Sequence, residues 1–300
     1  AYGSNQFTSL ANTLKSLNYY SAFFHGGTNG TMGFDGFIKA AGYDKYYGRT
    51  EYANEKDYDG DWGIWDEDYF QYTNNTVSKI PEPFLATLFT LSSHHPAFIP
   101  EKYKTKFLGG DMPILKSVEY ADFALRKFFE SASKEKWFNN TLFIITADHT
   151  GPSNDPLYTN LSGIFQIPIL LYKPSSNLIG INHKLVQQID ILPTALNQIN
   201  YPEPFYALGN NMLDSTKTGY AVNYINNVFQ YFEQDYLLQF DGEKKIAFYN
   251  RKSDPNLTLN ILGENHKVEN NMERKLKALI QLHYHGLINN KMIVSSFKMN

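Results

Sequence analysis

Apolar runs that stop abruptly at polar, ligand-type residues are the most informative pattern in this chain. The run at residues 142–147 ends at Asp148 and His149, and Gly151 and Pro152 follow. A short apolar run of this kind predicts a strand buried on both faces, and the glycine and proline predict a turn. We therefore place Asp148 and His149 at the carboxyl end of a central strand, where ligands bind in open α/β sheets. For an isolated pair, the simpler alternative is that the acid caps the next segment and the histidine lies in a loop.

The same arrangement of a strand followed by an imidazole occurs twice earlier in the chain. Residues 19–24 predict a strand that ends at His25, before two glycines. Residues 83–91 predict a second apolar strand, which is followed by His94 and His95. One histidine at a strand end is ordinarily explained by capping or packing. Its recurrence after three strands favours a shared site.

Helical periodicity separates these strands. Residues 111–134 predict the longest helix, because apolar residues recur on one face and an acid and a proline stand at its start. This helix leads into the strand at 142–147, so we expect a strand, helix, strand crossover of the kind that builds a parallel sheet. The remaining predicted elements before residue 215 are helices at 5–17, 36–41 and 66–72, strands at 42–47 and 165–172, and a helix that begins within 187–194.

The pattern changes near Gly219. Four short strands are predicted at 220–224, 229–232, 236–240 and 245–249, with a hairpin signal at Asp241-Gly242, and a final helix at 269–283. The fold class we predict is α/β, with a mixed, mainly parallel central sheet flanked by helices. A small antiparallel sheet with one helix follows it. The expected domains are 1–214, an α/β domain, and 215–300, an α+β subdomain packed on it.

Composition narrows the function classes. The net charge of −3 gives no basic footprint for nucleic acid, and the absence of cysteine excludes disulfides and thiolate metal sites. No apolar run approaches the roughly 20 residues that span a bilayer. The chain begins at Ala1 without an initiator methionine or a signal-peptide pattern, and we expect it to be a piece of a longer protein.

Several residues have chemistry with more than one explanation. A carboxylate beside an imidazole, as at Asp148 and His149, is a common ligand pair for Zn²⁺ or Mn²⁺. The acidic and aromatic segment 57–66 either faces a substrate through Trp62 or is a structural loop anchored by its tryptophans; it lacks the EF-hand calcium pattern. Asp190 either contributes to the site or stabilises the start of a helix, which is the simpler interpretation. We interpret the histidines near the end of the last helix, His283 and His285, as structural.

Six segments, taken together and in order, resemble the extracellular catalytic domain of the lipoteichoic acid synthase family. These proteins are phosphoglycerol transferases within the sulfatase and alkaline phosphatase superfamily. The resemblance covers about residues 7–213, and the C-terminal elements also resemble the small subdomain of sulfatase-like folds. The segments are Phe24-His25-Gly26-Gly27, Gly42-Tyr43-Asp44, Trp62-Gly63-Ile64-Trp65-Asp66, Thr90-Leu91-Ser92-Ser93-His94-His95-Pro96, Thr146-Ala147-Asp148-His149 and Gln188-Ile189-Asp190-Ile191-Leu192-Pro193-Thr194.

The resemblance implies roles for these residues. Asp148 and His149 match two ligands of a divalent ion, with Mn²⁺ the first choice and Zn²⁺, Mg²⁺ or Ca²⁺ as alternatives. His94 and His25 match histidines of the substrate pocket, and we assign both a catalytic and a substrate-binding role; His95 and Trp62 join them as substrate-binding residues. The substrate implied is an anionic phospho- or sulfo-ester on a lipid headgroup or glycan. The full-length protein is expected to be held in the cell membrane by upstream helices, with this domain outside.

Two departures from the family pattern bear on activity. The family's glutamate ligand and nucleophilic threonine lie upstream of the region where this chain begins, so neither Thr8 nor Thr31 is assigned as nucleophile. Family members also carry a Trp and an Arg where this chain has Met32 and Phe34. Loss of the Arg removes a bidentate phosphate clamp. We therefore expect a headgroup other than glycerol phosphate polymer, with sulfate ester hydrolysis as an alternative reaction.

These observations lead to two hypotheses from different classes. The first is a metal-dependent phosphoglycerol or related headgroup transferase, or an ester hydrolase, inactive without its upstream nucleophile. The second is a catalytically inactive module that keeps the fold and binds an anionic glycan or lipid headgroup. A cytosolic phosphomutase-type relative is a third option, but it needs more metal ligands than this sequence offers.

Overall fold

The computed structural model describes residues 3–294 and divides the chain into two compact units. One unit is Ser9–Thr141 with Lys173–Ser175. The other comprises the amino-terminal residues up to Thr8, Leu142–Tyr172 and the chain from Ser176 onward. The expected boundary between residues 214 and 215 stays a prediction.

A parallel sheet organises the unit of Ser9–Thr141. Its strands are β1 (Tyr20–His25), β2 (Lys45–Tyr47) and β3 (Phe84–Phe89), in the order β2-β1-β3. Both neighbours run parallel to β1, and His25 is in register with Phe89. The carboxyl ends of β1 and β3 therefore lie at the same edge of this sheet, as the sequence pattern predicted for two of the three histidine-bearing strands.

Five α-helices accompany this sheet: α1 (Leu10–Leu14), α2 (Phe34–Ala40), α3 (Arg49–Tyr52), α4 (Asp66–Val77) and α5 (Ile114–Ala132). Helices α4 and α5 pack against each other, with the rings of Phe70 and Phe128 5.2 Å apart between centroids. Phe24 of β1 is fully buried and stacks on Tyr47 of β2 at 4.8 Å. Aromatic packing thus contributes to the core of this unit.

The predicted helix at 5–17 is shorter in the structure. It begins at Leu10, because the Ser9 side chain caps it, and it tightens to a 3₁₀ turn at Lys15–Leu17. Residues before Ser9 are not helical, since the Thr8 amide donates to Met292 O (3.0 Å) and Phe7 forms a parallel bridge with Met292. Pairing with a segment distant in sequence replaces the local helix here.

Among the described residues, the second unit contains two antiparallel sheets. Strand β4 (Phe143–Thr146) pairs antiparallel with β5 (Ile169–Tyr172). The four-stranded sheet has the order β6 (Tyr220–Ile225), β7 (Val228–Glu233), β8 (Tyr236–Phe240) and β9 (Lys245–Asn250). The helices of this unit are α6 (Pro156–Thr159), α7 (Ile191–Gln198) and α8 (His266–Ile288).

The prediction for strand 142–147 was right about its existence and wrong about its surroundings. In residues 3–294, β4 is paired with β5 alone, and that pair is antiparallel rather than part of a parallel crossover. Nor is β4 buried on both faces: its residues are partly exposed, and Leu170 and Tyr172 of its partner are about half exposed. An apolar run indicates a strand, but it does not identify the strand's neighbours.

The C-terminal elements match the prediction closely. The turn between β6 and β7 places Asn226 and Asn227 at positive φ (50° and 63°), a conformation that asparagine tolerates and that suits a hairpin. Helix α8 covers β7 and β8, and Met272 and Leu276 of α8 are buried with Tyr231, Leu238 and Phe248 of the sheet. In residues 3–294 no helix is both long and apolar enough to cross a membrane.

Candidate functional site

His25, the last residue of β1, is enclosed rather than open. Its side chain is 2% exposed; its ring stacks on Phe34 at 4.4 Å and lies 5.6 Å from the ring of Phe89. Nδ1 is 2.9 Å from the hydroxyl of Tyr46. Burial lowers the pKa of His25 from its ordinary value of 6.5 to about 4, so the ring is neutral near pH 7.

Gly27 allows the histidine ring to pack against the backbone. A Cβ at this position would lie 2.6 Å from Cε1 of His25, closer than real contacts. Gly27, the second glycine after the histidine, is therefore explained by close packing against the ring.

His94 and His95 lie in the loop that follows β3, and Trp62 of the segment 57–66 lies beside them. The rings of Trp62 and His94 are 3.9 Å apart between centroids. His95 O lies 2.7 Å from both Trp62 Nε1 and His94 Nδ1. A carbonyl oxygen only accepts, so Nδ1 of His94 must carry the proton. Nε2 of the exposed His94 ring is then the nitrogen that can accept a proton and, once protonated, donate to an anionic oxygen.

Trp62 thus anchors its own loop. The hydrogen bond from the Trp62 indole to His95 O agrees with the structural alternative for the segment 57–66, a loop held by its tryptophans. The same ring packs against the imidazole of His94. The substrate-facing role of Trp62 stays a prediction.

Asp148 and His149 follow β4 and are both exposed, with side-chain exposures of 56% and 70%. Nδ1 of His149 is 2.8 Å from Thr150 O, so this nitrogen carries the proton and Nε2 keeps its lone pair. Nε2 lies 3.4 Å from Asp148 Oδ2. Histidine ligands of metals characteristically donate their other N–H to a carbonyl in this way.

The spacing of these two atoms fits adjacent ligands of one ion. Ligands about 2.1 Å from a tetrahedral metal are about 3.4 Å apart. The donor set, one carboxylate oxygen and one imidazole nitrogen, suits Mn²⁺ or Zn²⁺. Among residues 3–294 there is no group of three or more His, Cys, Asp or Glu side chains that could hold a metal, so the metal-ligand role of the pair stays a prediction.

Gln188 supports the Asp148-His149 loop. Its Nε2 donates to Ala147 O (2.9 Å) and to Asp148 O (3.0 Å). Asp190, two residues later, is 3% exposed and accepts from the amides of Gln187 (3.0 Å) and Asn210 (2.6 Å), and burial raises its pKa. Its carboxylate thus accepts two backbone hydrogen bonds at the start of the helical segment. This agrees with the simpler interpretation, that Asp190 stabilises a helix start.

Sequence reasoning missed two residues that organise these loops. Gln188 stands in a segment that the resemblance singled out, but an amide gives no chemical signal of its own. Asp66 also ends one of those segments, and it accepts from the amides of Leu91 and Ser92, which precede His94; in the sequence it is an ordinary acid at a helix start. Only long-range pairing, invisible in one sequence, distinguishes either residue.

Comparison with known proteins gives a consistent assignment. A sulfatase family model matches residues 2–201. Lipoteichoic acid synthase 2 of Bacillus subtilis is 24% identical over 245 residues, 75% of this chain and 37% of the relative. Lipoteichoic acid synthase of Staphylococcus aureus (strain USA300) is 26% identical over 247 residues, 72% of this chain and 38% of the relative. The chain thus spans less than half the length of these relatives.

Solved structures share the fold over nearly the whole chain. An alkaline phosphatase superfamily protein from Vibrio parahaemolyticus has a TM-score of 0.81 and 25% identity, and the match covers 98% of this chain and 72% of that protein. The lipoteichoic acid synthase LtaP from Listeria monocytogenes has a TM-score of 0.79 and 22% identity, with 96% and 74% covered. The chain belongs to the sulfatase family of the alkaline phosphatase superfamily, and within it to the members that resemble lipoteichoic acid synthases.

Proposed function

We propose that this chain belongs to a metal-dependent enzyme that transfers or hydrolyses an anionic ester. The reaction is transfer of phosphoglycerol or a related phospho-headgroup, or hydrolysis of a phosphodiester or sulfate ester, on a cell-envelope glycolipid or polymer. The observation that carries the proposal is the Asp148-His149 pair, in which Nε2 and Oδ2 are 3.4 Å apart and Nδ1 is bonded to a carbonyl.

Asp148 and His149 are the residues that would hold the divalent ion, for which Mn²⁺ is the first choice. When bound, such an ion polarises ester oxygens and lowers the pKa of a hydroxyl nucleophile. Gln188 restrains the two carbonyls of this loop and so limits how far the carboxylate and imidazole can separate.

His94 is the proposed proton donor to the ester. Its Nδ1 is already committed to His95 O, so only Nε2 is free to donate to a phosphoryl or sulfuryl oxygen. Charge-assisted donation of this kind stabilises the oxygen on which negative charge develops. The exposed His94 fits this role better than His25, which is 2% exposed and neutral, although both stay proposed site residues.

The substrate is proposed to differ from that of the family's phosphoglycerol transferases. At the two positions where those proteins carry Trp and Arg, Met32 is 81% exposed and Phe34 stacks on His25. An aromatic ring offers no N–H fork to a phosphate. A headgroup recognised without that clamp, or a sulfate ester, follows from the same substitution.

A second candidate function is a binding module that has lost catalysis. It is favoured by the lack of a third metal donor within the described part of the chain. Such a module would use His94, His95 and Trp62 to bind an anionic glycan or lipid headgroup. Both candidates place the intact protein at the outer face of the cell membrane.

The deciding experiment measures metal content and ester turnover together. Mn²⁺ binding and hydrolysis of bis-p-nitrophenyl phosphate and p-nitrophenyl sulfate are compared for this chain and the full natural protein. Asp148→Ala is the test variant, and Asp122→Ala, an exposed acid on α5, is the matched control. Metal binding and turnover in the full protein, lost in Asp148→Ala and kept in the control, support the enzyme. Intact esters and no retained metal in the full protein would leave the binding module as the better account.

A further inference from the structure

One buried carboxylate holds the segment that carries His94. Asp66, the first residue of α4, is 3% exposed, and its Oδ1 accepts from the amides of Leu91 (2.9 Å) and Ser92 (3.1 Å). The Asp66 amide in turn donates to Ser92 Oγ (3.0 Å). Three hydrogen bonds therefore join the start of α4 to the residues that precede His94.

The constraint reaches His94 through a single turn. Leu91 is held at its amide by Asp66, and its carbonyl oxygen accepts from the His94 amide at 3.0 Å. Leu91 and Ser92 are both buried, 6% and 5% exposed, so water cannot readily replace the carboxylate as acceptor. On the far side of His94, Trp62 of the same segment bonds to His95 O. Residues 62–66 thus form hydrogen bonds with the loop on both sides of His94, through Asp66 before it and through Trp62 after it.

A stabilising role alone explains this carboxylate poorly. Its second oxygen, Oδ2, is buried and has no hydrogen-bond partner among the described residues. Burial also raises the pKa of Asp66, which shows that the environment disfavours its charge. A buried acid with an unused oxygen costs free energy, whereas a neutral acceptor would satisfy the same two amides at less cost.

We infer that Asp66 is a positioning residue, which fixes the turn at 91–94 and thereby the orientation and tautomer of the His94 ring beside Trp62. This inference rests on the proposed function for its catalytic consequence, but the positioning itself is independent of any reaction. The buried carboxylate acts through Leu91 and Ser92, whose amides it accepts from.

The direct test reads the His94 ring by nitrogen NMR of protein labelled with ¹⁵N-histidine. The His94 signals are assigned by their loss in His94→Gln. Asp66→Ala is expected to move them away from those of the Nδ1-protonated tautomer, because the turn is released. Asp68→Ala, an acid on the same helix, is the matched control and should leave them unchanged. Ser92→Ala removes one of the three bonds without emptying the carboxylate position, and it should give a smaller shift in the same direction.

Ser92→Ala keeps the inference testable if Asp66→Ala does not fold. Unchanged His94 signals in a folded Asp66→Ala protein, or in Ser92→Ala when Asp66→Ala does not fold, would overturn the positioning role.

Kinetics of the full protein test the catalytic consequence. Asp66→Ala is expected to lower kcat about 10-fold or more while KM changes little, because a misplaced imidazole weakens the transition state rather than binding. In a His94→Ala background, Asp66→Ala should not lower kcat further. An equal loss of kcat in that background would refute action through His94. Shifted His94 signals in a protein that turns over no ester would uphold the positioning and reject the proposed function.

Discussion

The buried His25 makes the stability of this protein sensitive to mild acid. Its ring is 2% exposed among Phe34, Tyr46 and Phe89, and burial lowers its pKa from 6.5 to about 4. The unfolded chain takes up the proton near pH 6.5, but the folded protein does so only near pH 4. His25 therefore contributes full stability above pH 6.5, and that contribution is lost progressively as the pH falls towards 4.

The size of the effect follows from the two pKa values. At about pH 5 the unfolded histidine is almost fully protonated while the folded one is mostly neutral, so the loss relative to pH 7.5 is about 2 kcal/mol. Below the folded pKa it reaches a limit of about 3.4 kcal/mol, which is 1.36 kcal/mol for each unit of the shift. A change of this size is a sizeable fraction of the stability of an ordinary domain.

The assay is urea unfolding at about pH 7.5 and pH 5, with the wild type compared with His25→Asn. Asparagine puts an amide nitrogen near the position of Nδ1, facing Tyr46, but does not titrate. The variant should be less stable at both pH values because a buried ring is lost, yet it should lose about 2 kcal/mol less on acidification. Subtraction of the two proteins removes the groups that they share.

Tyr46→Phe is the matched control. It removes the hydroxyl that faces Nδ1 but leaves the histidine enclosed. Because burial causes the lowered pKa of His25, this control should keep the acid sensitivity of the wild type. Equal losses on acidification for the wild type and His25→Asn would refute the reasoning.

Two further predictions concern the other unit. Leu276→Ala leaves a cavity at a fully buried position of α8, so it should lower the free energy of unfolding by about 2–5 kcal/mol, measured in urea. The control Leu282→Ala, at a position of the same helix that is 53% exposed, should change it by less than about 0.5 kcal/mol. Gln188→Ala removes both hydrogen bonds to the Asp148-His149 loop. It should weaken Mn²⁺ binding at the proposed site about 10-fold, as measured by calorimetry. An unchanged affinity would show that the loop keeps its conformation without Gln188.

Local pattern was sufficient for the elements whose partners are close in sequence. The four C-terminal strands are joined by tight turns, so each strand's neighbour follows it directly, and polar turn residues such as Asn226 and Asn227 mark the joints. Strand β4 illustrates the opposite case. Its apolar run predicted a strand correctly, but its neighbour β5 lies beyond a segment that includes α6, so neither the antiparallel pairing nor the partial exposure could be predicted from the run itself.

In the candidate site, too, the features that involve neighbours in sequence could be predicted, and the long-range contacts could not. The carboxylate and imidazole at Asp148 and His149 are adjacent in sequence, so their chemistry was readable, and the structure adds the bond from Nδ1 to Thr150 O that leaves Nε2 available. Trp62 was recognised by its residue type, but its bond to His95 O joins two segments that no single-sequence pattern connects. Supporting residues are found last because their roles depend wholly on such connections.

The three histidines show what the motif of a strand followed by an imidazole can and cannot specify. His25 is itself the last residue of β1, so its side chain projects from a face of the sheet, where Tyr46 and Phe34 enclose it. His94 and His149 come after their strands have ended, and both lie exposed in loops. In this chain the imidazole at the last position of a strand is enclosed, whereas the two that follow a strand end are exposed to solvent. The catalytic and substrate-binding roles of His25 and His94 stay predictions, and the structure adds that His25 is the buried one of the two, with its ring 5.6 Å from that of Phe89 at the end of β3.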